Sequence, residues 1–434
     1  MTKLTIFQRQ TYASGAFTKS MLWNFTDLLL LYYLADIQGL GAASAGFILL
    51  ISLVISGILD ITLSLLLDKF NLHYQKVIAF GAPLTALSFA VLFYPLPAAA
   101  DYLFAYYFVV TILFRIGYAL VDIPHNAMLG TLTRDTHERT SLSSSRIFFN
   151  SCAILCFAIY AGDVLTLLES ENISLRIGIL VACSTFMLVN LYLCVLPVWR
   201  TGRLPENTER ISTKHAFAAL LRNRAFLVLA AFSLVPCIFI PVFYKSGVYF
   251  ASLILLDEKF TTWLITSLAL GKLVSLPLYK YLSKSMEKHH LMICSMAGLA
   301  LVFLLFALFN PDTLVQLCTY FLICGFFSGG FVMILWSALP DTIEYGAAQG
   351  GTSNQALTFG AFHLVTRVSD GLCFAIIAFV LEYSQSTASN SNTELFADLT
   401  ALIAFAGCLL GAVVLWFYPL TRAVHNALAT EKDK

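Results

Sequence analysis

The sequence predicts an all-α integral membrane protein of twelve spanning helices in a pseudo-symmetric 6+6 arrangement. Three observations predict it. Hydrophobic residues fill 59% of the 434 positions and charged residues only 12%, whereas a soluble domain carries about 25% charged residues. Apolar runs of about 20 residues, the length that crosses a bilayer core, recur from one end of the chain to the other. Lysine and arginine collect in alternate connections between those runs, the asymmetry that orients spanning helices.

The runs place spans near 21–40, 44–67, 76–97, 102–128, 146–166, 175–198, 225–250, 259–283, 290–310, 313–338, 357–383 and 398–421. Polar residues interrupt the spans at 44–67 and 357–383. The N-terminal MTKLTIFQRQTYASGAFTKS has neither the short apolar core nor the small-residue cleavage site of a signal peptide, so the first apolar run is expected to remain as a helix. An even number of spans puts both termini on one side. That side holds twenty of the 26 Lys and Arg residues, Lys19 among them, and the opposite side only Arg176, Lys245 and Lys259. Cytoplasmic termini follow from this bias, and a bacterial inner membrane is the expected location. The longest connection, 199–224, contains Thr213-Lys-His-Ala-Phe-Ala-Ala-Leu-Leu, apolar at helical spacing with basic neighbours, which reads as an amphipathic helix on the membrane surface. The expected plan is a six-helix bundle over 1–198, a linker over 199–224, a second bundle over 225–422 and a tail over 423–434. Such a plan suits carriers whose halves expose a site alternately to either side.

Composition narrows the function. A net charge of +1 offers no field for nucleic acid. The ten cysteines lie in apolar stretches, with no CxxC pair and no Cys/His metal spacing. Without a GxxxxGK[ST] loop, an HExxH helix or a GxSxG elbow, the chain reads as neither an ATP-driven pump nor an enzyme. No cofactor and no metal site are read from it. Gly325-Phe-Phe-Ser-Gly329-Gly330 falls inside a span, where close helix packing explains it better than phosphate binding. Asn172-Ile-Ser174 fits the short glycosylation pattern, a weak signal.

Ionisable residues inside spans cost several kcal/mol and mark function; here they are Asp27, Asp60, Arg115, Asp122, Lys272, Arg367 and Asp370. Ser56, Asp60, Ser64 and Asp68 recur every fourth residue and share one helix face. Arg115 and Asp122, seven apart, share another. His363 stands one turn before Arg367. These residues either pair to hold helices together or line a solute path.

Asp122-Ile-Pro-His-Asn-Ala-Met-Leu, followed by Asp135-Thr-His-Glu-Arg-Thr-Ser-Leu-Ser-Ser-Ser-Arg146, resembles the DIPxxAL…DxxERTxLxxxR signature of the glycoside–pentoside–hexuronide:cation symporters, the branch of the major facilitator superfamily that contains melibiose permease. Tyr33-Leu-Ala-Asp36-Ile-Gln-Gly-Leu, Ser56-Gly-Ile-Leu-Asp60 through Asp68-Lys69, and Trp336-Ser-Ala-Leu-Pro-Asp341-Thr-Ile-Glu344-Tyr-Gly are similar to further motifs of that family, in the same order. The resemblance implies secondary active transport of a sugar, glycoside or similar small polar solute by a monomer whose partners are solute and bilayer. A non-sugar solute (organic acid, amino acid or lipid) and a transport-dead receptor remain alternatives. It implies a salt-bridge gate with Asp68, Lys69 and Arg146, to which Arg115 and Asp341 are added as charged helix-end and cavity residues. It implies a substrate site at Ser20, where the family has a carboxylate, and at Asp122, Tyr118, Trp336, His363 and Arg367. The family's paired helix-two carboxylates become Ser56 and Asp60. In melibiose permease those positions build a sodium site, and sodium needs several oxygen ligands, which Asp60 with Ser56, Leu59 and Ala119 does not supply. A proton needs one carboxylate, so coupling to H+ through Asp60, or loss of coupling, is expected over coupling to Na+.

Overall fold

The computed structural model describes residues 5–70, 72–94, 96, 102–132, 136–170, 172–199, 213–348, 355–386 and 392–416. The linker at 200–212, the Asp135–His137 start of the signature's second half and the tail expected over 423–434 lie outside them in whole or in part.

Fifteen helices follow in order among the described residues: α1 Ile6–Asn24, α2 Leu30–Tyr32, α3 Ala42–Phe70, α4 Tyr74–Leu92, α5 Leu103–Leu132, α6 Thr136–Glu169, α7 Ile173–Val195, α8 Thr213–Arg222, α9 Arg224–Lys245, α10 Gly247–Leu253, α11 Thr261–Ser285, α12 Lys288–Phe309, α13 Leu314–Ala348, α14 Gln355–Ser386 and α15 Asn392–Leu415. Among the described residues, eleven segments are long and apolar enough to cross a membrane, with α9 and α10 forming one of them. The remaining crossing is the first. It starts at Ile6, well before the expected 21–40, and runs through two π-helical turns, Phe25–Leu29 and Tyr33–Ile37, on either side of α2. Its start is fixed locally: the Thr5 hydroxyl accepts from the Gln8 amide at 3.2 Å and the Gln8 side chain accepts from the Thr5 amide at 3.0 Å, a capping box worth about 1 kcal/mol. Asn172 likewise caps α7, accepting from the Leu175 amide at 3.1 Å, so its side chain has a structural task.

The chain divides into two compact units, Met1–Thr208 and Glu209–Lys434. Each is built by close helix packing, because lipid gives helices no hydrophobic drive toward one another. In the first, α4 and α5 meet at Gly81 and Gly117. In the second, α11 and α13 meet where a side chain on Gly271 would stand 2.0 Å from the Leu322 carbonyl oxygen, and one on Gly325 only 2.1 Å from that of Leu268. The glycine-rich stretch of α13 is therefore a packing surface, as its place within a span implied. Large apolar side chains point outward from both units, among them Phe80, Val274, Phe379 and Trp416, the inverse of a soluble surface. All ten cysteines are free thiols, and only Cys294 is exposed.

Candidate functional site

The first unit gathers its polar side chains where α1, α5 and α6 converge. On α1, Tyr12, Lys19 and Trp23 share a face by their spacing. On α5, Arg115, Tyr118, Asp122 and Asn126 form the facing stripe. The Lys19 ammonium donates to Asp122 Oδ1 at 2.6 Å and to Asn126 Oδ1 at 2.9 Å, and Asn126 Nδ2 donates back to Asp122 Oδ1 at 3.2 Å. Arg146 of α6 donates to the same Asn126 oxygen, and its guanidinium lies 5.9 Å from the centre of the Tyr12 ring. The lysine and aspartate side chains are only 7% and 16% exposed. Charge-assisted bonds at this depth are strong, and the ammonium replaces its lost hydration with two oxygens.

The floor of this cluster is a reciprocal clasp. Tyr12 donates its hydroxyl to the His125 carbonyl at 2.9 Å, His125 Nε2 donates to the Tyr12 carbonyl at 3.0 Å, and the two rings stack at 4.7 Å. Gly15 makes this approach possible, since a Cβ there would lie 2.8 Å from His125 Nε2. Beneath sit Leu67, Ile78, Met128 and Leu191, all buried. Pro124, one residue before His125, cannot donate to the Leu120 carbonyl, which loosens α5 at the turn carrying Asp122 and Asn126. Beside the cluster Trp23 packs on Tyr118 at 5.6 Å, and the Arg115 guanidinium lies 5.1 Å above the Trp23 ring, a cation–π contact. Asn24 bonds the Ser20 carbonyl and hydroxyl at 2.7 and 3.2 Å.

The structure thus brings Asp122, Tyr118, Arg115 and Arg146 together with residues the sequence reading did not select, Lys19, Asn126 and Trp23, while the Ser20 hydroxyl accepts from Asn24 of its own helix. Lys19 had been counted with the connections on the side of the termini and is corrected here to a buried partner of Asp122. The signal was present as Thr5-x-x-Gln8. Counting helix from that box puts Lys19 about 20 Å along the axis, at 1.5 Å per residue. On α3, Asp60 is 7% exposed and Ser56 1% exposed, and the Ser56 hydroxyl makes no hydrogen bond among the described residues. Asp68 and Lys69 continue α3 as helix, but their side chains lie outside the described residues.

In the second unit, Trp336 of α13 meets His363 of α14 at 5.2 Å between rings, and Arg367, one turn on, is 9% exposed. Next along α14, Asp370 accepts from Lys245 at 3.0 Å, with the lysine side chain only 1% exposed and its ammonium 4.4 Å from the Phe374 ring centre. Lys245, tallied on the side opposite the termini, is therefore also corrected to a buried partner; it is the last residue of α9, before the helix breaks at Ser246. Lys272 lies with its ammonium 4.8 Å from the Tyr244 ring centre. Asp341, expected in a gate, accepts from Lys288 at 2.7 Å, and Lys288 also donates to the Ser337 carbonyl at 2.8 Å, tying α12 to α13.

Comparison with known proteins follows the same lines. The chain is 25% identical over 97% of its length to the glucuronide carrier protein homolog of Escherichia coli (strain K12), covering 94% of that protein. It is 22% identical over its whole length to that organism's putative glycoside/cation symporter YagG, covering 96%. In fold it is similar to a point-mutant form of the nucleoside transporter NupG, with a TM-score of 0.67, 15% identity and coverage of 94% of this chain and 99% of that one. The family model of the MFS/sugar transport proteins matches residues 11–422, and the chain belongs to that family, on its branch of glycoside-type symporters.

Proposed function

We propose that the chain carries a sugar or glycoside through the bacterial inner membrane by symport with protons, as a monomer with both termini in the cytoplasm. The Lys19–Asp122–Asn126–Arg146 network carries the reading. Its carboxylate, amide and cations combine acceptors and donors of the kind that hold sugar hydroxyls, and Trp23 and Tyr118 stand beside them as apolar faces for a ring. The cations of the cluster outnumber its carboxylates, which favours a sugar bearing an acid group; the printed name of the glucuronide carrier homolog agrees. Arg146 offers a planar fork matched to such a group. In the second unit, taken by itself, Trp336, His363 and Arg367 are the candidate solute contacts. Asp68, Lys69, Arg115, Arg146 and Asp341 would serve the gate.

Asp60 is assigned the coupling proton. It is buried, it sits on the polar stripe of α3, and the neighbouring positions Leu59 and Ala119 add no oxygen to those of Asp60 and Ser56, so a proton needs less of the site than a fully ligated sodium would. In proteoliposomes, Asp60→Asn is expected to abolish pH-driven uphill uptake of methyl glucuronide while leaving counterflow exchange measurable. Full pH-driven accumulation by that variant, or a sodium gradient driving the native chain where a proton gradient does not, would overturn the assignment. Preference for methyl glucoside over methyl glucuronide would overturn the acid-sugar reading alone.

A further inference from the structure

The junction between α11 and α12 holds a cluster that transport does not use. Glu287, His289 and His290 lie within four residues, and one ligand atom from each falls within 4.8 Å of the other two. Glu287 occupies the N-cap position of α12, yet its side chain makes no capping bond. The carboxylate turns instead to His289 Nδ1, 3.0 Å away. The two imidazoles lie beside each other with ring centres 4.0 Å apart. Between Glu287 and His289 in sequence, Lys288 points elsewhere, to Asp341 and the Ser337 carbonyl, so the ammonium is withdrawn from the cluster.

We propose that Glu287, His289 and His290 form a binding site for a divalent transition-metal ion of the zinc class. The donor set is two imidazoles and one carboxylate, the set that suits zinc, nickel or copper rather than magnesium or calcium. Bond lengths of 2.0–2.1 Å in a tetrahedral site put ligand atoms about 3.3 Å apart. The Glu287–His289 pair already stands close to that separation, and rotation of the exposed His290 brings in the third donor. Three protein ligands leave the fourth position to water, as in an open zinc site. Exposure of His290 provides the entry path. The N-terminal dipole of α12 opposes a cation, an effect that is small and screened at a surface beside three ligand bonds. The competing reading is a surface Glu–His ion pair with a second histidine stacked against it. Because Lys288 springs from the same turn, an ion here would stiffen the turn that anchors the α12–α13 tie.

The test uses the full chain, purified without a polyhistidine tag and titrated with Zn2+ alone by calorimetry and by competition with a chromophoric chelator. Saturable binding of one equivalent at micromolar free metal is expected. His290→Ala and His289→Ala should each weaken it at least ~10-fold, the low end of what even a second-sphere partner contributes. Glu287→Gln should weaken it as well, and all three variants should melt at the native temperature without metal. Replacement with Co2+ should give the visible absorption of a low-coordinate nitrogen/oxygen site, absent in the His289/His290 double variant. Lack of saturable binding, or binding unchanged in the double variant, overturns the proposal. Neither readout depends on solute or coupling ion.

Discussion

At the scale of single residues, the Lys19–Asp122 pair is the most consequential contact. Breaking a buried pair from one side leaves an uncompensated charge, which costs about 3–5 kcal/mol. Asp122→Asn should therefore lower the melting temperature of the purified protein markedly. The double variant Lys19→Met/Asp122→Leu should recover most of that loss while binding no substrate. A double variant as unstable as the single one would show that the pair does not act as a unit. Asp122 was legible because it heads a distinctive motif. Lys19 was not, because hydropathy discards a stretch such as Gln8-Arg9-Gln10-Thr11-Tyr12 that is polar in sequence yet helical in the structure. Lys245 was misread for a related reason: its partner Asp370 lies on a helix far away in sequence, which apolar averaging does not see.

At the scale of elements, helix contacts follow small residues. The α11–α13 seam has no room for a methyl group at Gly325 or Gly271. Overpacking costs about 1–3 kcal/mol where neighbours can give, and a facing backbone carbonyl gives less than a side chain. Gly325→Val should therefore lose stability and transport together, measured as melting temperature and initial uptake. Gly178, with nothing within 4 Å of a built Cβ, should accept alanine with little change. Wild-type stability in Gly325→Val would refute the seam. The sequence already placed these glycines within a span, and their packing partners come only from the fold. The π-helical turns of the first crossing were illegible, since Phe25-Thr-Asp-Leu-Leu has no composition that marks a wider turn. Such turns gather at functional positions, and one of them carries Asp27.

At the scale of the whole molecule, the alternation of basic connections made the twelve-crossing plan readable, although Lys19 and Lys245 were each placed in the wrong environment. Removing both takes one cation from either tally and leaves the bias intact. The proposed orientation predicts that a reporter active only in the cytoplasm works when fused after Lys434 and fails when inserted at the exposed Leu256, between α10 and α11. Activity at both points, or at Leu256 alone, would reverse or break the topology. The thiols supply a practical consequence. Cys294 is the one exposed thiol, with Cys152, Cys156, Cys183, Cys237 and Cys318 partly buried, so a nitroxide reagent should attach there first once those five are replaced. Pairing it with a label at Phe80→Cys, on the outward face of the first unit, would make that variant a molecular ruler whose dipolar spectrum reads motion during turnover.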